Sequence, residues 1–212
     1  MVSNQKILID PFNPQPKLIL KAAGLIKKGG VVLFPTRCLY GLGADAFNPE
    51  AVDKVFRIKQ RPYNKPVSVL IKDTNDLHIL VKHIPSTAKC IMDYFWPGQI
   101  TIVFEAKSTI SRNLTGGTGK IGIRMPEHPV ALSLVKEANS PITGTSANIS
   151  GQAGCSAISD VQLAEKVDIL LDAGQLKGGT GSTVIDVTTS FPTILREGSV
   201  SAKNIFAALE KR

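Results

Sequence analysis

An α/β fold, a twisted open sheet of mixed strand direction with helices on both faces, is predicted by two features of the sequence. Short apolar runs such as Val31-Val32-Leu33-Phe34 and Ile100-Thr101-Ile102-Val103-Phe104 are interspersed with amphipathic stretches of helical period. Their spacing is irregular, which favours mixed strand directions over a strict βαβ repeat. The 212 residues contain no linker-like segment and are expected to form a single domain over 1–212. A chain of this length buries about 70% of its unfolded surface and needs no disulfide or metal staple.

The elements follow in order. Residues 15–28 read as a helix with Leu18, Ala22, Leu25 and Ile26 as its apolar stripe, ended by Gly29-Gly30. A buried strand over 31–34 comes next. Asn48 as N-cap and Pro49 in the first turn open a second helix that runs to about Lys59. Residues 66–71 read as a strand, followed by helical stretches near 75–83 and 86–95. Strands are expected over 100–105 and 120–125, then a helix over 129–138 and a very short strand over 141–143. Strands over 167–171, 183–187 and 193–195 and a closing helix over 201–211 complete the chain.

Composition narrows the function classes. The net charge of +8 favours anionic partners: nucleotide phosphates, RNA or acidic lipid. Aromatic residues are 6% of the chain, few for a protein that grips single strands by stacking bases. No run nears the ~20 apolar residues of a membrane span, and Ile7-Leu8-Ile9 is too short for a signal peptide. Cys38, Cys90 and Cys155 are scattered, with no metal-like spacing. They suit a reducing cytoplasmic setting and are expected to be small buried hydrophobes.

Four segments invite a chemical reading beside a structural one. Thr36 starts a Gly-punctuated loop after the first buried strand, where open α/β sheets receive ligands; a plain turn with Thr36 bonding its own backbone is the alternative. Lys59, Arg61 and Lys65 set three cations between a helix end and a strand, fit for a triphosphate. Favourable placement at a helix C-terminus explains Lys59 and Arg61 but not Lys65. Lys120, Gly122 and Arg124 alternate on one strand face, where the arginine could hold a carboxylate; a charge-protected edge strand is the alternative.

The fourth segment, Gly144-Thr145-Ser146-Ala147-Asn148-Ile149-Ser150-Gly151, is a polar loop able to coordinate phosphate or a metal, or simply a capped turn. It nearly matches a nucleophile elbow, but a hydrolase of that kind needs a histidine after the serine, and the last one here is His128. Gly116–Lys120 and Gly178–Thr183 are glycine-rich without the order of a phosphate-binding loop. His78 and His83 read as surface or satisfied core residues. With no Cys/His pair or carboxylate dyad in evidence, the inventory suits adenylyl transfer by positioning and charge neutralisation.

Taken in order, Phe34–Gly43, Lys59–Pro66, Trp96-Pro97-Gly98, Ile123-Arg124-Met125-Pro126, Ser146–Gly151, Ser182–Asp186 and Leu195-Arg196-Glu197-Gly198 resemble the YrdC/YciO family of threonylcarbamoyl-AMP synthases. The resemblance implies a sheet around a basic concave cavity. It implies ATP contacts from Lys59, Arg61, Tyr63, Lys65, Ser146, Asn148, Gly154 and Arg196. L-threonine would be held by Thr36, Ser68, Arg124 and Ser182. It further implies bicarbonate as third substrate, Mg2+ accompanying ATP, and a separate threonylcarbamoyl transferase that acts on tRNA. Departures from the family pattern are Arg37 in place of an acid, Cys38 in place of Thr and Cys155 in place of Pro. The opening Asp10-Pro11-Phe12-Asn13-Pro14-Gln15 is closer to the YciO branch, and the chain corresponds to the short form of the family. The main alternative is a non-enzymatic protein that uses the same cavity for double-stranded RNA or tRNA. A third reading is an adenylating enzyme with another amine substrate.

Overall fold

Hydrophobic periodicity translates into eleven strands and seven helices among residues 5–210, those that the computed structural model describes. Lys211, the last residue expected in the closing helix, lies outside them. The strands are β1 (Gln5–Leu8), β2 (Val32–Pro35), β3 (Tyr40–Gly43), β4 (Val69–Leu70), β5 (Ile100–Glu105), β6 (Lys120–Arg124), β7 (Ile142–Thr143), β8 (Thr145–Ser146), β9 (Ile169–Asp172), β10 (Thr183–Asp186) and β11 (Thr193–Arg196). The helices are α1 (Pro16–Lys27), α2 (Pro49–Lys59), α3 (Leu77–Leu80), α4 (Ser86–Phe95), α5 (Arg112–Thr115), α6 (Pro129–Ala138) and α7 (Ala202–Glu210). None of these helices is long and apolar enough to cross a membrane.

The mixed α/β architecture is as expected, but the strands divide between two sheets. One runs β1-β9-β2-β3-β8 and the other β11-β10-β5-β6-β4-β7. Both are mixed: β2 pairs parallel with β9 and antiparallel with β3, and β5 pairs parallel with β10 and antiparallel with β6. The five-stranded sheet has apolar layers on both faces. Val32, Phe34, Ile169 and Leu171 meet α1 and α6 on one side, while Leu33, Leu42 and Leu170 meet α2 and the 158–167 segment on the other. The six-stranded sheet differs. Its Val69, Ile102, Phe104, Ile121, Ile123 and Ile185 pack under α4, α5 and α7, and its opposite face walls a cavity except at the β4–β7 end, where Leu70 and Ile142 join the layer of α1 and α6.

Local chemistry explains the boundaries. The Asn48 side chain accepts from Glu50 N and Ala51 N at 3.1 Å, so α2 begins where its cap does. Gly29 ends α1 with φ +79°, a backbone angle that glycine adopts without a steric cost. The strand expected over 66–71 contracts to β4, because Pro66 has no N–H and the Ser68 hydroxyl bonds Gly144 O at 2.8 Å. The helix expected over 75–83 is one turn, α3, preceded by a 3-10 turn at Thr74–Asp76. Val81 already bridges Ala106 as extended chain, which stops it.

Strand β3 was expected as loop. Its glycines are there because the Phe34 ring lies across it: a Cβ on Gly43 would sit 2.8 Å from Phe34 Cε1, and one on Gly41 3.2 Å from Cζ. The three cysteines do not behave alike. Cys90 is buried as expected, whereas Cys38 faces the cavity and Cys155 lies half-exposed in a loop.

Candidate active site

The alternation of side chains along strands builds the cavity floor. On β6 Ile121 and Ile123 point into the core, so Lys120, Gly122 and Arg124 point the other way. Register then sets Val103 beside Gly122, Thr101 beside Val184, and Asp186 beside Val103. These residues, with Ser68 and Leu70 before and on β4, line a cavity of about 700 Å3. The far wall comes from the other sheet and the loops around it: Thr36, Cys38, Tyr40, Gly41, Ser146 and Gly154. Strand β6 lies between β5 and β4, so the reading of its cations as edge protection is wrong.

Eight of the twelve residues expected to contact ATP or L-threonine line this space: Thr36, Arg61, Ser68, Arg124, Ser146, Gly154, Ser182 and Arg196. Thr36 forms the turn of its structural reading and also borders the cavity. Its hydroxyl donates to Leu39 O at 2.6 Å. The Ser182 hydroxyl lies 2.8 Å from that of Thr101, and Arg196 Nη2 donates to Ser182 O at 2.7 Å. Arg61 donates to Lys65 O at 3.2 Å and Pro66 O at 2.8 Å, which folds the cation-bearing loop back on itself. Gly116 packs against that loop; a Cβ there would be 2.8 Å from both Asn64 O and Pro66 N. Gly154 leaves room for Leu39, whose Cδ1 would be 2.6 Å from an added Cβ.

Arg124 is the most constrained cation. Its Nε donates to Gly98 O at 2.7 Å, while Nη2 is buried without a hydrogen-bond partner among the described residues. Burial lowers the pKa of Arg124, Arg61 and Arg196, with Arg196 adding repulsion at Arg61. Burial is therefore costly to all three guanidinium charges, and an anion among them would offset that cost. Lys120 is already neutralised by Asp186, at 2.8 Å.

Four expected site residues do not line the cavity. Lys59 is 1% exposed and lies beneath it, donating to Ser146 O and to Asn148 O, the latter at 2.7 Å. Burial, then Arg61, pulls its pKa down to about 8. The carbonyl oxygens around it favour the charged form. Asn148 is buried too, and its amide donates to Ile149 O at 2.9 Å and Gln152 O at 2.7 Å. Lys59 and Asn148 thus shape the 146–152 loop from below. Tyr63 stacks on Phe56 with ring centroids 5.0 Å apart and bonds Asp53, outside the cavity. Lys65 is exposed, also outside it.

Arg37 lies at the margin, where its Nη1 pairs with Glu127 Oε1 at 3.0 Å and Oε2 at 3.1 Å. Sequence reading missed Glu127, Gln99, Thr101 and Asp186. Thr101 was detectable as the polar residue in an otherwise apolar run, but nothing in the sequence marks Glu127. Among the described residues no cluster of His, Cys, Asp or Glu could hold a metal. Asp186 is engaged by Lys120 and by Thr188, whose N and Oγ1 lie at 2.8 and 2.6 Å. The residues present therefore do not form a protein-built magnesium site.

Three comparisons place the sequence and the fold among known proteins. A family model of Sua5, YciO and YrdC proteins, described as telomere recombination, matches residues 24–198. A threonylcarbamoyl-AMP synthase of Pyrococcus abyssi is 39% identical over 188 residues, 87% of this chain and 55% of the relative. The chain thus spans just over half the length of that protein. The crystal structure of Pyrococcus abyssi Sua5 complexed with L-threonine is similar with a TM-score of 0.91 at 35% identity, over 96% of this chain and 60% of that one. That of Escherichia coli YciO matches with a TM-score of 0.87 at 29% identity, over 95% of this chain and 99% of YciO. From motif order, fold and these matches together, the chain belongs to the Sua5/YciO/YrdC family.

Proposed function

We propose that this chain joins L-threonine, bicarbonate and ATP into threonylcarbamoyl-AMP, releasing pyrophosphate. One observation carries the reading: the buried Nη2 of Arg124, without a partner among the described residues, in a cavity that Thr36, Ser68 and Ser182 also line. A guanidinium with a free nitrogen among hydroxyls is a receptor for the carboxylate of a small hydroxylated acid. Likeness to the L-threonine complex of Sua5 supports threonine as that acid. Arg61 and Arg196 supply the positive field for a nucleotide, and Ser146 lines the same cavity. Magnesium would enter with the nucleotide, held by its phosphates and waters.

In this reading the threonine nitrogen attacks bicarbonate. A C–N bond forms and water leaves with a proton from the amine. A carbamate oxygen then attacks the α-phosphorus of ATP, and the bond to the bridging oxygen of the β-phosphate breaks. The chain's contribution is placement and neutralisation, and holding two reactants in line can remove about 7–11 kcal/mol of barrier. A transferase that moves the threonylcarbamoyl group to tRNA would consume the product.

The test is pyrophosphate release. It is expected only when ATP, magnesium, L-threonine and bicarbonate are all present. Release without threonine would point to another adenylation. The net charge of +8 favours a second reading, binding of double-stranded RNA or tRNA without synthesis. No release under any combination, together with RNA binding that weakens steeply with salt, would replace the first reading by the second.

A further inference from the structure

Resting on that reading, we infer that Gln99 selects the amino group of the amino-acid substrate. Its side-chain carbonyl would accept an N–H from the same molecule whose carboxylate Arg124 holds. Gln99 is 7% exposed and lines the cavity. Its Nε2 donates to Glu127 Oε1 at 3.2 Å. A carboxylate can only accept, so this contact fixes which end of the amide is nitrogen. The carbonyl oxygen Oε1 is left with one weak neighbour, the Cys38 thiol at 3.9 Å. It is an under-used acceptor on the wall of a ligand cavity.

The location matches the role. The preceding residue, Gly98, holds Arg124 through its own carbonyl. The two recognition groups are therefore anchored on successive residues of one turn. The charge state also fits. The amine must be neutral to attack bicarbonate, and a bare carboxylate beside it would favour the ammonium form. Glu127, the acid that bonds Gln99, is instead neutralised by Arg37, and what Gln99 offers the amine is an uncharged amide. Arg37 and Glu127 are positioning residues in this arrangement, and Arg37 gains a purpose at a place where the family pattern has an acid.

The experiment is a cycle of two proteins and two ligands. Wild type and Gln99→Leu are titrated by calorimetry with L-threonine and with 3-hydroxybutyrate, which keeps the carboxylate and hydroxyl but lacks the amine. ATP binding serves as the folding control. One neutral hydrogen bond corresponds to about a three- to tenfold change in affinity. Gln99→Leu should lose that factor for L-threonine and keep wild-type affinity for 3-hydroxybutyrate and ATP. A variant that binds L-threonine as wild type does, or that loses both acids equally, overturns the inference and leaves the synthase reading standing. A wild type that binds no L-threonine overturns both.

Discussion

Replacing Arg124 by lysine separates carboxylate recognition from general positive charge. Arg124 uses Nε on Gly98 O at 2.7 Å and leaves Nη2 buried and unpaired among the described residues. Lysine keeps the charge but brings a single nitrogen, so it can serve Gly98 O or a substrate carboxylate, not both in the same geometry. The loss is one charge-assisted hydrogen bond, about 1.5–3 kcal/mol, or about 13- to 150-fold in affinity. Calorimetry with L-threonine and ATP in separate titrations reads it directly. L-threonine should weaken within that range, while ATP should change by less than about threefold. Equal losses for the two ligands would refute the assignment and give Arg124 a structural or phosphate role.

Three further outcomes follow from the geometry. Arg196→Ala should weaken ATP about 10- to 150-fold, and unchanged affinity in a folded variant would remove Arg196 from the nucleotide site. Gly198→Ala would set a Cβ 2.2 Å from Gly181 O and 2.6 Å from Ser182 C, both backbone. It should cost about 3 kcal/mol in a urea titration, against about 1 kcal/mol for Gly154→Ala, whose clash is with a rotatable leucine end. Stability should also turn over in alkali. Lys59 titrates at about 8 when folded against 10.5 ordinarily, so the unfolded chain binds more protons in between and stability rises with pH across that window. Tyr40 is pushed up by burial from 10.0 to about 12, so the folded chain holds its proton longer and stability falls across that range. Urea midpoints should therefore climb from pH 8 to about 10 and then drop, and Lys59→Met should flatten the climb.

What the sequence disclosed follows from where each residue's constraint comes from. The apolar runs Val31–Phe34, around β2, and Ile100–Phe104 of β5, broken only by Thr101, declare themselves by hydrophobicity. The Asn48-Pro49 start of α2 is local chemistry and is equally plain. By contrast β3 is glycine-rich because a ring from β2 crosses it, and β8 is two polar residues that pair only because β3 is beside them. Such strands exist through tertiary contacts that no local pattern carries. The site divides in the same way. Arg61, Arg124 and Arg196 were legible as cations near loops and strand ends. That Lys59 supports the loop from below, while Tyr63 faces away, depends on how the 59–66 turn folds back. Glu127 acts through partners 28 and 90 positions away in the sequence, a relation that only the fold creates.

The unequal faces of the six-stranded sheet separate two kinds of selection within single strands. On β6 positions 121 and 123 answer to packing, and 120, 122 and 124 answer to whatever occupies the cavity. On β5 the division falls between 100, 102 and 104 and the pair 101 and 103, and on β10 between 185 and the pair 184 and 186. Change at one set leaves the other untouched, because a strand side chain cannot reach the opposite face. A lineage with this scaffold can exchange its ligand through a handful of alternate positions while its core stays fixed. Deleting one residue from any of these strands would turn core outward and site inward together, and would abolish fold and binding in the same step.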